Sequence, residues 1–297
     1  LRDAAAATRR LEGIGLVVLS GCSFATLGIF NRLAGAHGVN VLTVLSLRFG
    51  LAALCLWALA LPRHSPKLSG RKALGFLAMG ALFVVEAGLF FVSSRLIPVA
   101  LTSLLLYLYP GLVMLLAWVL RGDRPGRTGL LALVLALAGI ALAVGSPAHA
   151  LNPLGVTLGL CSSLGYAVYM FIGGRLQRGV PPLVATAWIS TCAAVIFLAL
   201  GAGTGGFHPR QALAEAWAPI LGLAILGTVV PVFTLMAGLA RITSTQASIA
   251  STVEPIATAA MGALFLHEGL QALQMLGGLL VILAVLLLSV GDRPASA

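Results

Sequence analysis

Apolar runs of about twenty residues follow one another along almost the whole chain, parted only by short polar breaks. Wound as a helix, a run of about this length crosses about 30 Å of hydrocarbon. Lipid offers the backbone no hydrogen-bond partner, so a helix is the natural answer to each run. Hydrophobic residues fill 60% of the 297 positions and charged residues 9%, against about 25% charge in a domain that folds in water. The expected class is an all-α membrane protein. Ten transmembrane helices are read, near 14–33, 39–61, 73–94, 99–120, 128–146, 153–174, 182–203, 216–240, 245–266 and 270–290. The connections are short, so no separate soluble domain is expected.

Basic residues give the orientation. With both termini in the cytoplasm, fourteen of the eighteen Lys and Arg fall on the inner side: Arg2, Arg9, Arg10, Arg63, Lys67, Arg71, Lys72, Arg121, Arg124, Arg127, Arg175, Arg178, Arg241 and Arg293. Arg32, Arg95 and Arg210 fall outside, and Arg48 lies within a span. The net charge of +10 is read as topology and attraction to the inner leaflet, so no nucleic-acid partner is expected. Cys22, Cys55, Cys161 and Cys192 all fall in spans without metal spacing and are read as packing residues. Ala34-Gly35-Ala36 resembles a cleavage site, but its apolar run is longer than a signal peptide's, so it is expected to be retained.

Two of the apolar runs contain a central proline. "SLLLYLYPGLVMLLAWVL" (Ser103 to Leu120) holds Pro110, and "SIASTVEPIATAAMGALF" (Ser248 to Phe265) holds Pro255, 145 positions later. The same offset carries Ser103 to Ser248, Tyr107 to Thr252, Asp123 to Glu268 and Glu86 to Pro231. "SGCSFATLG" is echoed by "GLCSSLGYA" at a slightly different offset. The chain is read as two five-helix repeats, residues 1–148 and 149–297, within one integral membrane domain. Five is odd, so the second repeat is inverted. The arginine-rich "RGDRPGR" lies inside, and its counterpart "HEGLQ" lacks Lys and Arg and lies outside. Inverted repeats in transporters enclose a site near the bilayer centre. Pro110, Pro231 and Pro255 are candidate hinges around such a central cavity, a packing kink being the alternative for each.

Arg48, Glu86 and Glu254 are the deep charges. Intramembrane charges face a bundle interior or a cavity. Arg48 and Glu86 either pair as a structural salt bridge or meet substrate. Glu86 and Glu254 are candidates to recognise a substrate amine or exchange a proton. Helical faces add Ser103, Tyr107 and Pro110, then Tyr166 and Tyr169, then Ser248, Thr252 and Pro255, with Phe24, Asn31 and Phe90 from the first and third spans. The candidate substrate-binding set is therefore Phe24, Asn31, Glu86, Phe90, Ser103, Tyr107, Tyr166, Tyr169, Ser248, Thr252 and Glu254. For single residues the other reading is interfacial anchoring or interhelical contact. Gly155, Gly159, Gly277 and Gly278 are read as close-packing positions.

Chemistry of other classes finds little to work with. Asp3, Asp123 and Asp292 lie outside the spans, and all five histidines lie in loops or at span ends. An intramembrane hydrolase is thus disfavoured, and neither a metal, a cofactor nor a nucleotide-driven motor is expected. No charged ring or carbonyl filter marks a pore.

The chain resembles the drug/metabolite transporter superfamily in its EamA-type branch. The resemblance rests on "LSLRFGLAAL" (Leu45 to Leu54) and on the repeat ends "RGDRPGRTGLLALVLALAGIALAV" and "LHEGLQALQMLGGLLVILAVLLLSV". Glu268 fits the family pattern and Asp123 departs from it. Within the branch the chain is most similar to YddG-type exporters of aromatic amino acids. The resemblance implies a bacterial inner membrane, alternating access, and a small-molecule substrate exported from the cytoplasm, with amino acids first and organic cations or drugs of quaternary ammonium type as the alternative. A monomer is expected.

Overall fold

A computed structural model describes residues 2–62, 70–122, 126–144, 151–176, 180–242, 250–251, 253–269 and 271–291. Among them the regular structure is helical throughout. In chain order the helices are α1 (Arg2–Phe24), α2 (Thr26–Ala36), α3 (Val41–Ala60), α4 (Gly70–Leu96), α5 (Val99–Leu106), α6 (Tyr109–Arg121), α7 (Arg127–Val144), α8 (Pro153–Leu176), α9 (Pro182–Gly203), α10 (Pro209–Glu215), α11 (Trp217–Ala224), α12 (Val230–Leu239), α13 (Val253–Leu266) and α14 (Ala272–Gly291). Seven segments are long and apolar enough to cross a membrane: Thr8–Ala36, Val41–Ala60, Gly70–Leu96, Val99–Arg121, Pro153–Gly173, Pro182–Gly203 and Trp217–Leu239. The remaining three expected spans coincide with shorter apolar helices, Arg127–Ala143, Val253–Leu266 and Ala272–Leu287, which border residues outside the described set. The short α10 has no counterpart among the expected spans.

Helix starts obey local chemistry. Asn40 caps α3 by accepting the Thr43 N–H at 2.9 Å, and Asn152 caps α8 by accepting from Leu154 and Gly155. Both satisfy donors that a helix leaves unpaired in its first turn. Gly122 ends α6 in the left-handed region at φ 76°, where a Cβ is costly. Three spans are interrupted. α1 gives way to α2 at Ala25, α5 to α6 at Tyr107–Leu108, and α11 to α12 through a wide π-turn, Ile225–Val229.

Much of the packing joins elements distant in sequence. α3 lies on α9, α4 on α8, α1 on α12, α13 on α5, and α7 on α14. The last pair meets at glycines. A Cβ on Gly139 would stand 2.6 Å from the Gly277 carbonyl oxygen, and one on Gly277 would press on the Gly139 carbonyl. Gly155 and Gly159 let α8 lie against α4 and α5, where added Cβ atoms would meet Ile97 and Leu105 at 2.7 Å each. The largest buried cluster joins Phe49, Phe91, Phe197, Ile220 and Leu223. Large apolar side chains such as Leu54, Val119 and Leu264 stand on the outside, as on a bundle that faces hydrocarbon.

Candidate functional site: rings and carboxylates between the breaks

All four tyrosines of the chain enter one run of neighbouring rings. Tyr107 and Tyr109 have centroids 6.3 Å apart. Tyr109 meets Tyr166 edge-on at 4.8 Å, and Tyr166 stacks on Tyr169 at 5.9 Å. Tyr169 leans on Phe83 at 5.3 Å, and Phe83 stands edge-on to Phe49 at 5.6 Å. Tyr166 and Tyr169 share a face of α8 because they are three apart. Residues two apart on an unbroken helix do not face each other. Tyr107 and Tyr109 come together across the break at Tyr107–Leu108 between α5 and α6.

One carboxylate, Glu254, bonds to this run, and a second, Glu86, lies near enough to Tyr166 and Tyr169 for its charge to be felt there. Glu86 on α4 is buried. The Ser162 hydroxyl lies 3.2 Å from Glu86 Oε1 and 3.3 Å from the Glu86 carbonyl oxygen. Glu254, in the first turn of α13, accepts the Tyr107 hydroxyl at 2.9 Å. The same hydroxyl lies 3.2 Å from the Ser251 carbonyl oxygen, so one proton serves two acceptors. Tyr109, Tyr166 and Tyr169 donate to no group among the described residues. A cavity of about 480 Å³ opens at the end of the bundle where α4 begins and α6 and α8 finish. Gly75, Met79 and Leu82 line one wall, and Phe171 and Leu176 the other. The Arg121 guanidinium stands 4.0 Å over the Phe171 ring at this cavity.

Arg48 does not pair with Glu86. Their charges interact through the bundle, but the ion pairs among the described residues are Arg32–Glu268 and Arg241–Glu12. Arg48 instead points at the π-turn. Its Nε donates to Thr228 Oγ1 at 3.0 Å and its Nη2 to the Gly227 carbonyl at 3.5 Å. The guanidinium lies over Phe49 at 4.5 Å and Phe91 at 5.0 Å, a favourable seat for a desolvated cation. Ser20 and Ser23 of α1 hold the same region, donating to the Pro231 and Leu226 carbonyls.

The other expected site residues divide. Asn31 is fully buried and committed to α4: its amide donates to the Phe91 carbonyl and to Ser94 Oγ, both at 2.8 Å, and its oxygen accepts from Arg95. Phe90 packs in the large apolar cluster, 6.1 Å from the Phe91 ring. Ser103 is buried within α5. Phe24 ends α1, half-buried. Ser248 and Thr252 lie outside the described residues. Pro110 is the second residue of α6 after the break, Pro231 the second residue of α12 after the π-turn, and Pro255 is buried in the first turn of α13. Tyr109 and Ser163 join the site from outside the residues expected to line it, while Ser162 and Thr228 lie on the expected faces of the sixth and eighth spans. Ser163 donates to the Leu106 carbonyl at 3.1 Å.

At the opposite end from the cavity, Arg32 gathers three groups. Its Nε and Nη2 donate to the Ser94 and Ile97 carbonyls at 2.6 Å, and its Nη1 lies 3.0 Å from Glu268 Oε1. Glu268 Oε2 accepts the Val99 N–H at 2.8 Å, capping α5. Burial pushes the Glu268 carboxyl above its ordinary range, against the lowering effect of Arg32 and the Val99 N–H.

Comparison with known proteins fits this architecture. The chain is 31% identical over 288 residues to the uncharacterized protein PA1977 of Pseudomonas aeruginosa, covering 91% of this chain and 93% of that one. It is 28% identical to the uncharacterized transporter YcbK of Bacillus subtilis, covering 93% and 90%. It is 27% identical to protein PecM of Dickeya dadantii, covering 72% and 71%. A solved crystal structure at 17% identity superimposes with a TM-score of 0.66 over 95% of this chain and 96% of that one, which establishes likeness of fold. The EamA-like transporter family model matches residues 11–145 and again 153–290. An all-helical bundle with membrane-length spans, matched twice in this way, is a membrane transporter and not an enzyme, and the chain belongs to the EamA-like transporter family.

Proposed function

We propose that the protein is an alternating-access exporter of small metabolites carrying an amine, with amino acids, including aromatic ones, as its substrates. It sits in the bacterial inner membrane with ten spans and both termini cytoplasmic. Its two inverted halves are residues 1–148 and 149–297. The pairing of α1 with α12, α3 with α9, α4 with α8 and α7 with α14 supports this reading, because each pair takes one helix from either half. Pro110, Pro231 and Pro255 serve as the bends about which the halves rock.

The observation that carries the substrate reading is the assembly of four tyrosines and two glutamates from both halves. The carboxylates suit an ammonium group, and the rings suit an aromatic or apolar body. A second reading, export of organic cations, draws on Arg48. The π-turn and two phenyl rings already engage that guanidinium, so a substrate carboxylate would depend on tyrosine hydroxyls. Counterflow of a labelled amino-acid panel in proteoliposomes, with and without a pH gradient, tests the proposal. Uptake of phenylalanine or tyrosine is expected. Transport of a quaternary ammonium dye with no amino-acid uptake would replace the first reading by the second.

A further inference from the structure

Three prolines deep in the bundle share one consequence. A proline has no N–H, so in a regular helix the carbonyl four residues earlier loses its donor. In hydrocarbon such a carbonyl needs another partner. Pro110 leaves the Leu106 carbonyl and Pro255 the Ser251 carbonyl, while Pro231 follows a turn in which the Val230 N–H bonds back five residues to Ile225, so the carbonyl it leaves is Leu226. Each of these three oxygens is met by a side-chain donor. Ser163 Oγ reaches Leu106 at 3.1 Å, Ser23 Oγ reaches Leu226 at 2.5 Å, and the Tyr107 hydroxyl reaches Ser251 at 3.2 Å. In every case the donor and the proline come from opposite sides of residue 149.

We infer that Ser163, Ser23 and Tyr107 are positioning residues that replace the backbone donors removed by Pro110, Pro231 and Pro255, each fixing a bend of one half to a helix of the other. The donors differ in what else they hold. Among the described residues, Ser163 has this single side-chain hydrogen bond. Tyr107 divides its proton with Glu254, and Ser23 meets a carbonyl of the irregular π-turn. The Ser163–Pro110 pair is therefore the cleanest case. Its geometry also explains why two adjacent serines on α8 do different work: Ser162 faces Glu86 on α4, and Ser163 faces the end of α5. The role in transport rests on the alternating-access reading. The coupling between donor and proline does not.

Double-mutant cycles separate the two. The full-length protein is purified in detergent, and melting is monitored for Ser163→Ala, Pro110→Ala and their combination, then for Tyr107→Phe with Pro255→Ala. An alanine at the proline position returns an N–H, so the donor is no longer needed. Ser163→Ala alone is expected to melt lower, and the same change in the Pro110→Ala background to have less than half that effect. Equal effects in both backgrounds in both cycles would overturn the inference. If Tyr107→Phe does not fold, the Ser163 cycle decides. Counterflow of labelled phenylalanine gives the functional readout: Ser163→Ala is expected to lower Vmax at least threefold with KM unchanged, and Pro110→Ala to restore part of it. A raised KM with unchanged Vmax would make Ser163 a substrate contact and overturn the positioning role. A wild-type protein that moves no phenylalanine would sink the amino-acid reading while leaving the melting cycles to judge the staples.

Discussion

At the scale of single residues, the tyrosines are not equivalent. Tyr107 gives its proton to Glu254 inside the bundle, and a hydrogen bond to a charged group is worth about 1.5–3 kcal/mol. Tyr107→Phe is expected to slow counterflow about tenfold or more, the rate equivalent of the lower end of that range. Tyr166→Phe removes a hydroxyl with no partner among the described residues and should leave the rate nearly unchanged, whereas Tyr166→Ala should raise KM by opening the ring run. Comparable losses in both phenylalanine variants would contradict this division. Glu86→Gln should also impair transport, and full activity with unchanged pH dependence would remove Glu86 from the mechanism. Much of this cluster is legible in the sequence. Glu86, Tyr107, Tyr166, Tyr169 and Glu254 stand out as polar or aromatic positions in apolar runs. Tyr109 does not, because a helical wheel drawn through an unbroken span puts it away from Tyr107. Only the break at Tyr107–Leu108 brings the two rings to one side. Asn31 illustrates the converse: a polar side chain at depth looks like a ligand contact until its partners, here on α4, are known.

At the scale of elements, the sequence expectation treats Arg32 and Arg95 simply as outward charges against the prevailing bias. The structure gives both of them carbonyl partners. Arg32 takes the Ser94 carbonyl, whose helical donor would have been Pro98, and Arg95 takes the Val39 carbonyl at 2.9 Å. Partners so far apart in the chain cannot be read from local pattern. Glu268 lies 3.0 Å from Arg32 Nη1, yet its Oε1 makes no aligned hydrogen bond among the described residues, in keeping with a carboxyl that is harder to ionise when folded. This fixes the sign of a pH effect. A carboxyl whose folded pKa is raised above its ordinary 4.5 contributes stability below that value and loses it as the pH climbs through the folded pKa. Melting of the wild type should therefore lose this contribution on going from about pH 4 toward neutrality. Glu268→Gln should show a shallower slope, with Arg32 still held by two carbonyls. A steeper slope in the variant would reverse the assignment.

For the whole molecule, the order of spans and the correspondence of Pro110 with Pro255 come from hydropathy and spacing, which survive when identities do not. What they leave out is contact. The pairing of α7 with α14 depends on Gly139 and Gly277 facing each other, whereas for this pair the sequence marks close packing on the last span alone, at Gly277 and Gly278, and names no partner for it. Gly277→Val should lower stability by about 1–3 kcal/mol through overpacking, and Gly278→Val by much less, since the nearest side-chain atom there stands at 3.9 Å. Equal melting of the two variants would refute the crossing. The wide turn at Ile225–Val229 bears on chain length as well. A ring closed from i to i+5 holds one residue more than the ordinary helical ring, so the turn absorbs an extra residue without rotating the helix beyond it. A chain shortened by one position there would keep Gly238 seated on Val17 but would close the Gly227 carbonyl into the helix, and Arg48 would then be a buried cation held mainly by the faces of Phe49 and Phe91.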